Sequence, residues 1–429
     1  MANRLPLEGI RILDMGQFWA APNAGRAWAD AGAEVIKVES CRRPDPLRIQ
    51  ARKIYPDNDP GGEHGDHWNR SGMVNERNRS KLSLALDLSH PKGRDLFIEL
   101  AKQSDAVSQN YSLGVMDRLG IGWDVLHKAN PKLVMVSIMS QGLTGPESSY
   151  VSYGQNLEQL GGISYTSGYP DDEKSSVGFA LPDPIGGATA AFALIAALRH
   201  REETGEGLHI DLSQREAATL IIGDAIVEYS LTGQVPPRIG NHEPGSNPSE
   251  CYPCEGEDEW IAISISNDAE WLRLCEAMER VNLGSDNRFA TIVGRMRNRD
   301  AVDELIGEWT ARFEKMELFK LLQSHHITAG AITNPRELFQ DPHLRERGFW
   351  EQVEDYSCGT QEYYGRPMHL SENPYGTRTP TPKLGQHNYE ILGGLLSLSN
   401  SEIDQLTNEG VIGTEPILTA EGGMARRAS

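Results

Sequence analysis

Through the first half of the chain, short apolar runs alternate with helix-compatible stretches, and this pattern restricts the fold more than any other feature. IRILD (10–14) reads as a strand, the Ala-rich stretch after Pro22 as a helix, and EVIKVE (34–39) as the next strand. LSLALDL (82–88) alternates cleanly and is followed by a helix from His90, with Pro91 suited to its first turn. DAVSQN (105–110) and KLVMVSIM (132–139) are further strands, each after a helical segment. Pro184 to Arg201 reads as a long helix closed by Gly205 and Gly207, and LHIDLS (208–213) as a strand. Strands alternating with helices build a mostly parallel sheet covered on both faces, an α/β fold. Such sheets bind ligands at the carboxyl ends of their strands. The loops after Asp14, Glu39, Asp87, Asn110 and Met139 therefore form the predicted functional edge.

From about Ile222 the pattern changes. Residues 232–256 are rich in Pro and Gly and read as a linker and extended loop. WIAISI (260–265) and the amphipathic helices up to His343 read as a smaller α+β domain. The predicted division is 1–221 for the first part of a large domain, 222–343 for the small domain with its linkers, 344–413 for a return segment to the large domain, and 414–429 for a tail.

The formal charge of −20 argues against a nucleic-acid-binding surface, which needs a basic face. One region runs the other way: Lys37, Arg42, Arg43, Arg48, Arg52 and Lys53, followed by Arg70, Arg77, Arg79 and Lys81. A local cationic region in an acidic chain suits a small polyanion; scattered surface charge is the plain alternative. The N-terminus carries no long apolar segment of the secretory kind, and the apolar stretch Ile185 to Leu198 is too short to span a bilayer. Five cysteines imply no disulfide framework, and a reducing cytoplasm fits them.

The chain has no G-x-S-x-G elbow, no Walker loop and no H-E-x-x-H. Gly120-Ile-Gly122 lacks the third glycine of a dinucleotide fingerprint, and Cys251-Tyr-Pro-Cys254 lacks the second pair of a zinc site. No metal site is expected. Asp183, before Pro184 at the mouth of a helix, reads on local sequence as an N-cap with Pro at the first helical position.

Four segments, in order, resemble the class III CoA-transferases: PLEGIRILDMGQFWAAPNAGRAWADAGAEVIKVE (6–39), NRSKLSLALDLSHPKG (78–93), QNYSLGVMDRLGIGWDVLHKANPKLVMVSI (109–138) and LPDPIGGATAAFALIAALRHREETGEGLHIDLSQREA (181–217). The resemblance implies a Rossmann-like large domain made from both ends of the chain, an inserted small domain and an interlocked homodimer, with a heteromer of homologous subunits as the alternative. It places the family's nucleophilic aspartate on Asp183. Its CoA-contacting positions fall on Trp19, Ala20, Leu86, Asp87, Asn110, Tyr111, Arg118, Tyr153 and Gly154, with Lys37 and Lys81 as cationic candidates by position. Gln17, Trp19, His242 and Gly245 are expected to shape the acyl pocket. Gly186 and Gly187 are expected to allow close approach to a tetrahedral oxyanion.

The expected activity is transfer of CoA from an acyl-CoA, succinyl-CoA among the donors, to a carboxylic acid through covalent intermediates on Asp183. No cofactor beyond CoA itself, no nucleic acid and no membrane enters this scheme. Trp19 stands where formyl-CoA transferase has a glutamine, Gly154 where it has a glutamate, and Ser40 where the family has an arginine, which points to acids larger than formate and to Arg42 or Arg43 as substitutes. The rival readings are a racemase or isomerase of the same superfamily, whose His-Asp pair is missing at Tyr153-Gly154, an intramolecular CoA transferase, and a non-catalytic subunit of a heteromer.

Overall fold

The computed structural model describes residues 4–50, 66–171, 177–373 and 375–417. Arg52 and Lys53 of the cationic region, and residues 418–429 of the expected tail, lie outside the described residues. Two compact units divide the chain: Met1–Ile163, Ser176–Val227 and Glu346–Ser429 make one, and Ser164–Ser175 with Glu228–Arg345 make the other.

In the first unit, strands β1 (Arg11–Asp14), β2 (Glu34–Glu39), β3 (Leu82–Ala85), β4 (Ala106–Gln109), β5 (Val134–Met139) and β6 (His209–Ser213) form one sheet. Its order is β3-β2-β1-β4-β5-β6 and every pairing is parallel, with Leu13 opposite both Ile36 and Val107. The strand order reverses between β1 and β4, which opens a crevice outside their carboxyl ends.

Both sheet faces are buried, as the uninterrupted apolar strands require. Ile12, Val35, Val134 and Val136 pack with helices α1 (Ala20–Asp30) and α5 (Pro182–Thr204) on one face. Leu13, Ile36, Leu84 and Met135 pack on the other with α3 (Pro91–Lys102), α7 (Asn388–Leu396) and α8 (Asn400–Asn408). Neighbours in one strand thus serve opposite cores, the period of two expected of a pleated strand. The remaining helices that bear on the site are α2 (Gly72–Asn78), α4 (Gly154–Leu160) and α6 (Gln214–Thr219).

LSLALDL keeps strand pairing only to Ala85, because the C-terminal segment takes over the next residues. Leu86 bridges Ile412, Asp87 N donates to Val411 O at 2.8 Å, and the Asn388 side chain accepts from Ala85 N at 2.9 Å. The return segment thereby covers the sheet edge and hides its unpaired backbone groups. His90 caps α3 through Nδ1, accepting from Lys92 N at 3.2 Å, with Pro91 as the first helical residue.

The second unit carries a three-stranded antiparallel sheet of Ser249–Pro253, Trp260–Ser264 and Thr328–Ala331 around a core that includes Trp271, Phe289, Ile306 and Leu318. Part of the Pro/Gly-rich stretch expected as loop is thus a strand. Ser164–Ser175, which the sequence reading left in the large domain, belongs here: Gly240 N donates to Gly168 O at 3.1 Å and Asn241 Nδ2 to the Tyr169 hydroxyl at 2.5 Å. Among the described residues, no helix is long and apolar enough to cross a membrane.

Candidate active site

The loop after β1 is held from three sides. Asn110, just past β4, accepts from Gln17 N at 2.9 Å and donates to Gln17 O at 2.8 Å, which ties the two strand ends together across the crevice. Lys37 Nζ donates to Gly16 O at 2.7 Å, and Phe18 N donates to the Asp45 carboxylate at 3.2 Å. Phe18 takes a φ of +62°, the left-handed region that costs a bulky residue energy and persists where surrounding contacts impose it. Its ring meets Tyr153 edge-on at 5.5 Å between centroids.

Lys37 and Lys81 need a correction. Both are buried, and each ammonium is committed inside the protein. Lys37 pairs with Asp45 at 3.4 Å. Lys81 pairs with Asp14 at 2.7 Å and also donates to Pro22 O and Asn78 Oδ1. Burial pushes the Lys81 pKa down to about 8, against the pull of Asp14. A Lys in the middle of a buried strand survives only with such partners. These two lysines build the floor of the loop and leave no ammonium facing solvent for a phosphate.

Asp183 sits in the first turn of α5, as its second residue, because the helix begins at Pro182 and not at Pro184. Ala180, at φ +50°, turns the chain into the helix and its carbonyl accepts from Asp183 N at 2.9 Å. The buried Glu158 of α4 accepts from Leu181 N at 3.0 Å. Gly154, the first residue of α4, packs directly against the carboxylate; a Cβ there would collide with Asp183 Oδ2 and lie 2.5 Å from Ala180 Cβ. Burial pushes the Asp183 pKa up to about 6, and the Arg77 guanidinium opposes that shift.

Gly186 and Gly187 do different work from that expected. A Cβ at 187 would lie 2.7 Å from Ala20 O, and one at 186 would lie 2.8 Å from Gln214 Cγ. These glycines let α1 and α6 approach α5, which sets Asp183 beside the loop after β1.

The other expected residues divide. Trp19 begins that turn, and Arg77 of α2 lies over its ring with Cζ 4.2 Å from the centroid. Ala20 is fully buried in α1, and Tyr153 is largely exposed just before Gly154. Tyr111 follows Asn110, its N–H donating to Gln109 Oε1 at 2.6 Å, and burial raises its phenol pKa. Leu86 is core. Asp87 pairs with Arg42 at 3.0 Å and accepts from the Ser89 hydroxyl at 2.6 Å. Arg118 is exposed, four residues into the turn opened by Gly114. His242 and Gly245 belong to the second unit, where His242 Nδ1 lies 3.8 Å from Glu250 and Gly245 has a φ of +87°.

Sequence reasoning missed two contributors. Arg77 was one cation among many, and Glu158 carried no signal beyond a charge in a helix. Only burial distinguishes them.

A doubly covered parallel sheet with this strand order, together with a desolvated carboxylate in the first turn of α5, defines the class of α/β proteins that bind ligands at the carboxyl edge of the sheet. Residues 7–388 match the profile of CoA-transferase family III, and the chain belongs to that family. It is 33% identical over 407 residues to the succinyl-CoA–D-citramalate CoA-transferase of Chloroflexus aurantiacus, covering 95% of this chain and 98% of that protein. The succinate–glutarate CoA-transferase of Agrobacterium fabrum is 30% identical, covering 94% and 98%. A solved structure of a CAIB/BAIF family protein from Brucella suis superposes with a TM-score of 0.81 at 29% identity, covering 92% of this chain and all of that one. The activity of the chain is CoA transfer.

Proposed function

We propose that the protein moves CoA from succinyl-CoA to a second carboxylic acid through covalent intermediates on Asp183. The observation that carries this reading is the Asp183 carboxylate itself, partly desolvated against Gly154 in the first turn of a helix, with its pKa raised to about 6. At neutral pH it is mostly ionised, and less solvated than a surface carboxylate, which makes it the better nucleophile.

A carboxylate oxygen attacks the thioester carbonyl, the C–S bond breaks, and CoA leaves as thiolate with a mixed anhydride left on Asp183. The thiolate then attacks the aspartyl carbonyl and releases the first acid, leaving an aspartyl-CoA thioester. The incoming carboxylate runs the two steps in reverse. Each passes through a tetrahedral oxyanion, whose negative charge is favoured by the positive end of the α5 dipole. The scheme is complete with a carboxylate and a thiol and calls on no cofactor beyond CoA.

CoA is read as lying along the loops after β1, β3 and β4, against Trp19, Asp87, Asn110, Tyr111 and Arg118. Arg118 and Arg42, both exposed in part, replace Lys37 and Lys81 as the cations for its phosphates. An interlocked homodimer in the cytoplasm is the assembly we favour; the exposed apolar side chains Phe192, Leu220 and Ile221 are consistent with a partner surface.

The test is to incubate the protein with succinyl-CoA alone, quench, digest, and weigh the peptide that carries Asp183. An adduct on that peptide is expected, together with new thioesters when glutarate or citramalate is added. Transfer that survives Asp183→Ala would overturn the reading.

A further inference from the structure

Arg77 is buried, and its planar group is held flat against Trp19. Its Nε lies 3.1 Å from Glu76 Oε2, while Nη1 has no hydrogen-bond partner among the described residues. Glu76 is already shared: Arg26 Nη1 lies 3.1 Å from it, and the Tyr364 hydroxyl donates to it. Arg79, next on the chain, is also buried, with no nitrogen hydrogen-bonded, and stacks on Tyr364 with Cζ 5.3 Å from the ring centroid. Arg77 feels the carboxylates of Glu76, Asp183 and Asp45, and Arg79 those of Asp30, Glu76 and Glu351, yet neither guanidinium has its donors filled. A buried guanidinium with unfilled donors is unfavourable unless something fills them.

Acylation of Asp183 removes its charge. Arg77 then loses the attraction of Asp183 and keeps that of Glu76, with Nη1 still without a partner among the described residues. A dicarboxylic acid brings two anions: one reacts, and the other needs a buried counter-ion. Resting on the transferase reading above, we propose that Arg77, clamped on Trp19, receives the non-reacting carboxylate of a dicarboxylic substrate and so selects dicarboxylic over monocarboxylic acids. Its fork geometry matches a carboxylate bidentately, which a flexible ammonium does not.

The test compares glutarate with its monomethyl ester as acceptors of CoA from succinyl-CoA, in the wild type and in Arg77→Met and Arg77→Lys, with folding of each variant checked by thermal unfolding. The readout is the ratio of kcat/KM for the diacid to that for the monoester, because any general effect on Asp183 cancels in it. Loss of a buried charge partner predicts a fall of about a hundredfold in that ratio for Arg77→Met, carried mainly by KM of the diacid. Arg77→Lys, which keeps the charge and loses the fork, should fall between; it serves alone if Arg77→Met fails to fold. A ratio that stays at the wild-type value in the folded variant, with both acceptors equally slowed or equally unaffected, overturns the proposal. Adduct formation on Asp183 in the wild type is measured in parallel. Its presence with an unchanged ratio removes only the role of Arg77, whereas its absence removes the covalent scheme itself.

Discussion

Asp183 Oδ2 occupies the space that a side chain at residue 154 would fill, so Gly154 and Asp183 form a matched pair. The pairing joins the end of the long loop after β5 to the first turn of α5, two segments far apart in sequence and each shaped by a separate turn.

Gly154→Ala is expected to displace the carboxylate and to push on the turn at Ala180, since its Cβ would lie 2.5 Å from Ala180 Cβ, at a cost of about 1–3 kcal/mol. Misplacing a reacting group by about 1 Å costs on the order of a hundredfold in rate. Steady-state kinetics beside a thermal melt checks this: kcat should fall steeply, with Tm lowered by a few degrees and the protein still folded at assay temperature.

Asp183 titrates at about 6, well above the ordinary 3.8, because burial penalises its charged form and Arg77 only partly offsets this. Transfer needs the ionised carboxylate, so kcat/KM should rise with pH along an acid limb centred near 6. For stability the sign is opposite. The folded protein holds this proton more tightly than the unfolded chain, so the stabilisation is full below 3.8 and is lost as pH rises through about 6. Asp183→Asn should therefore abolish transfer yet gain in Tm relative to wild type across that window; a pH series of melts reads this directly.

Lys81 and Asp14 are an ion pair with neither side chain exposed. Lys81→Met strands Asp14 in the interior and should destabilise by about 3–5 kcal/mol. Adding Asp14→Asn removes the orphaned charge while keeping an acceptor for Gly16 N, so the double variant should recover much of the loss. Denaturant unfolding of the four proteins in this cycle gives the coupling.

Asn110→Ala cuts both hydrogen bonds to Gln17 and frees the loop after β1. Two partly buried hydrogen bonds are worth about 1–3 kcal/mol together. The expected result is a modest drop in Tm and a larger rise in KM for the acyl-CoA, measured with acceptor in excess.

Much of the architecture is legible in residue order. EVIKVE spans β2 end to end, and IRILD, DAVSQN and KLVMVSIM each contain their strand with loss only at the ends. The reason is local: β-branched and apolar residues in runs, bounded by turns, state their own conformation. The loops after β1 and β4 stand at the strand-order reversal because a parallel sheet puts its ligand edge there. Asp183 was legible through its motif, although its helix starts one residue before it, as Leu181 and Pro182 already adopt the helical turn.

Charge pairing was not legible. Lys37 and Lys81 read as cations for CoA, and both are buried and paired with Asp45 and Asp14. Gly186 and Gly187 read as points of close approach, and which neighbours approach, Gln214 and Ala20, is set by the packing of α6 and α1. Arg77 read as one charge in a basic stretch and is the buried cation, held against Trp19, that opposes the pKa shift of Asp183.

Period, turn chemistry and motif order are carried by neighbouring residues, so strand positions, the parallel sheet and the helix that carries Asp183 follow from the amino-acid order alone. Which cation meets which anion, and which side chain loses its water, depends on segments that meet only when the sheet closes and the return segment covers its edge. Desolvation is a property of that packed volume and not of any stretch of chain, and it is desolvation that separates the buried lysines from the free guanidinium edge of Arg77 and raises the pKa of Asp183.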